Sequence, residues 1–382
     1  MGSVVVGLLV VLCWAPFSQA KLNIVSEFML DYPVVVGSIF SWQDHFYATT
    51  GFENYRNRRN DALPVQLLKF TLQGSLVASL NISSQCTGCS NLQFGYWLSN
   101  NGTATLQVSN IPDWNGPKFH TQLIQVDLET FQISAKGPKR TYLSWVGDTL
   151  PLMVHNTSTT YASVPINGDV NLLPYDFSNS DLKPTGNPVP LPTHIGNIVT
   201  GASPSPDDPF LIALGNGEKY GQLYNISLAS GKVSHTLDAF SQFIALTPDS
   251  KSVVAISQVR GSATRYTLQI FPTQQPFPSE LPAGIEMIGS SALGIMADDQ
   301  SIFVFLSSPN NNAYSSRFLH FSYSGPSSPP TLVSHEVIEQ IFLGSRPDIL
   351  SGSLLASERT MLLYGRKEAT GIPFFLFFVQ YE

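Results

Sequence analysis

The chain has 382 residues, of which 43% are hydrophobic and 12% charged, with a formal net charge of −7 at pH 7. The charged share is about half that of ordinary soluble proteins, while the apolar share is too high for a disordered chain. The acidic balance argues against nucleic-acid binding by bulk electrostatics.

Residues 4–14 are an almost unbroken apolar run. At about eleven residues the run suits a signal-peptide core and is too short to span a bilayer. Small residues Ser18 and Ala20 follow at the spacing of a cleavage site. Residues 1–20 are therefore expected to be a signal peptide, with a secreted mature chain starting near Lys21. No basic residue precedes the apolar core, which departs from the usual pattern. The later apolar stretch 372–379 has the length of a strand, so no membrane span is expected. Residues 21–382 are expected to form one all-β domain.

The first predicted strand is 22–28. After it, pairs of apolar strands flank small polar turns at Asp44, Asn100, Asp148, Asp207–Asp208, Asp249, Asp298–Asp299 and Glu358. The clearest copies are 198–214, 243–256 and 293–305. These turns recur about every 52 residues, a period that belongs to repeat folds. A second pair of strands follows each, turning at Gly74, Thr130 and Gly231, with fainter copies beginning near Tyr161, Tyr266, Phe318 and Phe374. Two pairs make a four-stranded unit, and seven units suit a radial repeat whose sheet edges are protected. Residues 374–380 read as the third strand of the last unit, and 22–28 can supply its missing fourth. The expected fold class is all-β: a seven-bladed β-propeller closed by an N-terminal strand. Two β-sandwiches with accidental spacing are the alternative.

The apolar–Pro-Asp–apolar form of the clear copies, as in 243–256, resembles lactonase-like and YVTN-type propellers. The resemblance covers most of the mature chain in period and implies a fold, not an activity. The chain lacks the Trp-Asp dipeptide of WD repeats, the Gly-Gly of kelch repeats and a Tyr-Val-Thr-Asn tetrad. No catalytic residue carries over from it.

Beside the signal-peptide Cys13, the chain holds only Cys86 and Cys89. Loop-like flanks and the lack of a second pair favour a short structural disulfide over a redox or zinc site. Sequons stand at Asn81, Asn101, Asn156 and Asn225 and point to a glycoprotein. Asn101 lies in a tight turn and Asn225 inside a predicted strand, so occupancy should be highest at the first and lowest at the second.

No hydrolase, phosphate-loop or dinucleotide motif is present, and the seven histidines form no close metal-binding pair. No cofactor, metal or catalytic residue is assigned. Trp42, Trp97 and Trp145 read as inner-strand core, whereas Trp114 lies in the turn-rich loop 111–117. Charge is distributed unevenly. Loops joining second to third strands, about 50–63, 109–119, 155–160, 214–222, 258–266, 307–318 and 365–372, carry Arg56, Arg58, Arg59, Lys118, Lys219, Arg260, Arg265, Arg317, Arg366 and Lys367. The first-to-second turns carry mainly Asp and Glu. A basic patch on one end and an acidic other end follow, because the loops between units bring further bases, Lys136, Lys139, Arg140, Lys183 and Arg346, to the basic end together with a similar number of acids.

The expectation is a monomeric secreted glycoprotein, an extracellular binding or matrix module. It would recognise an anionic glycan or acidic protein through Arg56, Arg58, Arg59, Trp114, Lys118, Lys219, Arg260, Arg265 and Arg317. The competing expectation is a secreted hydrolase, lyase or lactonase-like enzyme with a site in the central channel, built from several blades.

Overall fold

A computed structural model describes residues 22–30, 34–52, 65–82, 84, 93–98, 101–110, 118–143, 153–156, 159–166, 169–176, 182–191, 195–199, 210–215, 221–228, 232–238, 241–247, 251–273, 282, 284–289, 292–298, 300–307, 315–325, 330–339, 342–343, 352–366 and 374–381. These residues are all-β, with no α-helix among them. The expected signal peptide and the Cys86–Cys89 loop lie outside the described residues.

Strand β1 (Asn23–Leu30) precedes a series of antiparallel sheets. Sheet one runs β2 (Val34–Trp42), β3 (His45–Phe52), β4 (Gln66–Thr71), β5 (Leu76–Asn81). Sheet two runs β6 (Gln93–Leu98), β7 (Thr103–Asn110), β8 (Lys118–Asp127); both β9 (Gln132–Lys136) and β10 (Arg140–Leu143) pair with β8. Sheet three holds β11 (Met153–Asn156), β12 (Thr159–Ile166), β13 (Asp169–Tyr175) and β14 (Val189–Pro190). Sheet four holds β15 (Ile195–Val199), β16 (Phe210–Gly215), β17 (Gln222–Ser227) and β18 (Val233–Asp238). Sheet five holds β19 (Ser241–Leu246), β20 (Ser252–Gln258), β21 (Arg265–Pro272) and β22 (Ile285–Ile288). Sheet six holds β23 (Ala292–Ala297), β24 (Ser301–Ser307), β25 (Ser315–Ser322) and β26 (Thr331–Glu339). In sheet seven, β27 (Phe342–Leu343) and β28 (Gly352–Leu355) both pair with β29 (Thr360–Arg366), which pairs with β30 (Phe374–Gln380). Strand β1 joins this last sheet, antiparallel to β30, from Asn23 opposite Gln380 to Leu30 opposite Phe374.

The continuous apolar runs of the sequence are strands buried on both faces. In β30, Phe374, Leu376 and Phe378 pack with Phe46 and Phe70 of sheet one, while Phe377 and Val379 pack with Phe303, Phe305 and Phe318 of sheet six. In β24 the split is Ile302, Val304 and Leu306 toward sheet five and Phe303 and Phe305 toward sheet seven. Period-2 alternation thus disappears from the hydropathy pattern because both sides are apolar. Burying each such side chain contributes about 1.5–3 kcal/mol.

The same arrangement repeats between successive sheets. Clusters join one to two through Phe40, Leu67, Leu106 and Ile124, and two to three through Leu123, Val164 and Leu173. They join three to four through Leu172, Tyr224 and Ile226, four to five through Ile212, Leu223, Ile244 and Phe271, and five to six through Val254, Leu268, Val304 and Phe321. The first strands also touch: β2 meets both β6 and β28, β6 meets β11, β15 meets β19, and β23 meets both β19 and β28.

One expected register is corrected. Loop 155–160, expected between second and third strands, links β11 to β12, the first two strands of sheet three. Tyr161 therefore belongs to the second strand, not the third. The shift has a physical origin in sheet two: β8 is ten residues long and is paired by β9 near one end and by β10 near the other. Residues 140–143, which alternate like the start of a new unit, are consumed there.

Candidate binding site

The basic candidates described best lie at one end of sheets five and six. Turn 259–264, between β20 and β21, is held by its own backbone: the Val259 N–H donates to the Arg265 carbonyl and the Ser262 N–H to the Val259 carbonyl, each at 2.9 Å. Gln258 Nε2 donates to the Ser262 carbonyl at 2.9 Å. Gly261 stands at φ 80°, in the left-handed region that suits glycine. This ordered turn presents Arg260 to solvent and sets Arg265 as the first residue of β21.

Both Arg265 and Arg317 then engage the short outer strand β22. The Arg265 guanidinium pairs with the Glu286 carboxylate, and both side chains stay at least half exposed. Arg265 lies opposite Ile288 in the strand register. Arg317, the third residue of β25, reaches across from sheet six and donates from Nη1 to the Ile288 carbonyl at 2.7 Å. The guanidinium therefore bridges two sheets at the mouth of a cleft of about 300 Å³. Its walls are Ile285 and Met287 of β22, Leu319 and Phe321 of β25 and Leu332 of β26, with Glu286, Arg317 and His335 on the rim.

The structure thus brings Arg260, Arg265 and Arg317 to one end of adjacent sheets. Lys118 is the first residue of β8, opposite Leu143 of β10. Arg56, Arg58, Arg59, Trp114 and Lys219 lie outside the described residues. Of the sequons, Asn81 and Asn101 are exposed. The Asn81 Oδ1 accepts the Ser84 N–H at 3.0 Å, and the Asn101 Oδ1 accepts the Thr103 N–H at 3.3 Å. Asn156 ends β11. Asn225 lies in β17 and is only 2% exposed; its Oδ1 accepts from Ser234 Oγ at 3.1 Å, and its Nδ2 is buried without a hydrogen-bond partner among the described residues. Trp42 is half buried against the cluster between sheets one and two.

A second group of titratable side chains sits between sheets six and seven. His320 of β25 stacks on Phe303, with ring centroids 4.7 Å apart, and meets Tyr381 edge-on at 6.1 Å. Its Nε2 lies 3.1 Å from Ser301 Oγ, while its buried Nδ1 has no partner among the described residues. Burial holds the imidazole below its ordinary pKa, against the smaller opposite pull of Asp298. Burial, then Asp298, pushes the Tyr381 hydroxyl up to about 12, opposed by Arg359. A neutral ring in an aromatic stack is packing, and none of these groups lines the cleft. Among the described residues, no group of three or more His, Cys, Asp or Glu side chains could hold a metal. No helix there is long and apolar enough to cross a membrane.

No protein-family model matches the chain, and no curated protein sequence matches it. Solved structures do. The WD40 domain of Toxoplasma gondii coronin is similar at a TM-score of 0.52 and 9% identity, over 95% of this chain and 88% of that one. The fold is propeller-like. An uncharacterised protein from Listeria monocytogenes is similar at 0.48 and 9% identity, over 87% and 91% of the two chains. The WD40 domain of SCAP from fission yeast gives 0.43 and 10% identity, over 95% and 98%. At such identities the likeness concerns the fold alone, and the propeller-like chain keeps no Trp-Asp dipeptide.

The sequence shows Arg265 and Arg317 as basic candidates but not the cleft that Arg317 lines. The alternation Arg317, Leu319, Phe321 marks one face of a strand, and Ile285, Met287 marks one face of another. Nothing local says that these faces meet with a gap.

Proposed function

We propose that the chain is a secreted, glycosylated, seven-bladed β-propeller, closed by its N-terminal strand, that serves as an extracellular binding module. Its basic loops hold an anionic glycan or an acidic protein. The observation that carries this reading is the convergence of Arg260, Arg265 and Arg317 at one end of sheets five and six, where Arg265 and Arg317 both engage β22. The blade reading is supported by the circle of apolar clusters, whose last members join sheet six to seven and seven to one. Secretion is supported by residues 4–20 and by the sequons, with a Cys86–Cys89 disulfide in the loop after sheet one.

The chemistry fits a polyanion. Arginine's planar fork donates two parallel hydrogen bonds to carboxylate or sulfate. One exposed contact is worth about 1 kcal/mol or less, so affinity requires several loops to act together. Tyr55-Arg56-Asn57-Arg58-Arg59 supplies three more guanidinium groups in one loop. The overall charge of −7 does not oppose this, since distant charges are screened beyond about 8–10 Å at physiological salt. The test is retention on a heparin resin. Wild type should bind at low salt, and Arg56→Ala/Arg58→Ala/Arg59→Ala and Arg260→Ala/Arg265→Ala variants should elute earlier. Equal retention of all three, or no wild-type retention, removes the reading.

A further inference from the structure

We infer that the cleft between sheets five and six is a binding site for a small amphipathic carboxylate, its apolar chain inside and its head group on Arg317. This goes beyond the polyanion reading: the site shares Arg317 with the basic end and adds the apolar facing sides of two sheets, which a polyanion would not use. The volume of about 300 Å³ is at the lower end for ligand pockets. It has room for roughly ten to fifteen non-hydrogen atoms at interior packing density.

The lining selects the body of the ligand. Met287, Leu319 and Phe321 are each less than a tenth exposed, and Ile285 and Leu332 are half buried around them. Such walls offer water few hydrogen-bond partners, so an aliphatic chain is the better occupant. The rim selects the head group. Arg317 uses Nη1 on the Ile288 carbonyl, and no other bond engages its remaining N–H groups among the described residues. Glu286, the acid on the rim, is already paired with Arg265. The exposed His335 and the apolar, exposed Ile288 complete the rim. The charge facing an incoming head group is therefore the guanidinium, whose fork matches a single carboxylate.

Isothermal titration with octanoate, octanol and octylamine at constant ionic strength tests this on the purified full-length protein. Octanoate should bind wild type at least tenfold tighter than octylamine. Arg317→Gln should weaken octanoate at least tenfold and leave octanol within about twofold, a difference near 1.4 kcal/mol for the charged head alone. Leu332→Trp, which fills the cleft from its half-buried wall, should abolish binding of both octanoate and octanol. Thermal melts establish that each variant is folded; if Arg317→Gln is not, Arg317→Lys should keep octanoate ahead of octylamine. Equal affinity for all three probes, no octanoate binding to wild type, or unchanged binding in folded Leu332→Trp overturns the inference. The Arg56→Ala/Arg58→Ala/Arg59→Ala variant should bind octanoate like wild type, so failure on heparin and failure here are separate results.

Discussion

His320 sets a pH dependence that can be read from its packing. Burial against Phe303 and Tyr381 lowers its pKa from the ordinary value near 6.5. Above that value the ring is neutral in both folded and unfolded chains, and its contribution to stability is fully present. As pH falls below it, the unfolded chain takes up a proton that the buried ring resists, and stability is lost. The wild-type melting temperature should therefore fall between about pH 7 and pH 5, and His320→Gln should flatten that slope. An equal or steeper slope in the variant contradicts the assignment. At the same scale, Asn225 is 2% exposed with its Oδ1 on Ser234, whereas Asn101 is exposed in its turn. Attaching a glycan at Asn225 would require its strand to open. Glycopeptide mapping of protein expressed through a secretory pathway should find Asn101 the most and Asn225 the least occupied; the reverse order is incompatible with this burial.

At the scale of elements, β1 covers an edge that the rest of sheet seven would leave open. Ser26 Oγ donates to the Gln73 carbonyl at 2.5 Å, tying β1 to the β4–β5 turn of sheet one. Gly74 in that turn stands at φ 86°, and a Cβ there would lie 1.9 Å from Ser26 Oγ and 2.5 Å from the Phe378 ring. Gly74→Ala should cost about 1–3 kcal/mol in a denaturant melt, since strain at a positive φ adds to displacement of β1. A neutral effect would mean that β1 is not held at this contact. Deleting residues 22–30 exposes the apolar edge of β30 and should send the protein to the void volume in size-exclusion chromatography. A monodisperse, folded deletion variant would contradict this role. Much of this was legible in the sequence. The turns at Asp44, Asp298 and Glu358, and the one at Asn101–Gly102 beside the expected Asn100, fall where acids and glycine interrupt apolar runs, and 374–380 has the length and apolar character of a buried strand. The third repeat was not legible, because β10 pairs backward with β8 and the polar stretch 157–161 carries no alternation. The cleft was also invisible: it depends on how two sheets face one another, which no strand encodes alone.

For the whole molecule, the propeller-like fold brings distant segments to shared ends of their sheets, and this makes weak contacts useful. Arg265 opens β21 and Arg317 lies in β25, more than fifty positions further along the sequence, yet both engage one four-residue strand. If the basic end recognises polyanions, counter-ion displacement makes that binding sensitive to salt, and neutral ligands should not compete. Binding of the purified protein to an array of acidic and neutral glycans, at low and at physiological salt, measures this directly. The account predicts signals confined to sulfated or carboxylated glycans that weaken as salt rises. Binding to neutral glycans with no salt dependence, or to no glycan at either salt concentration, would contradict it.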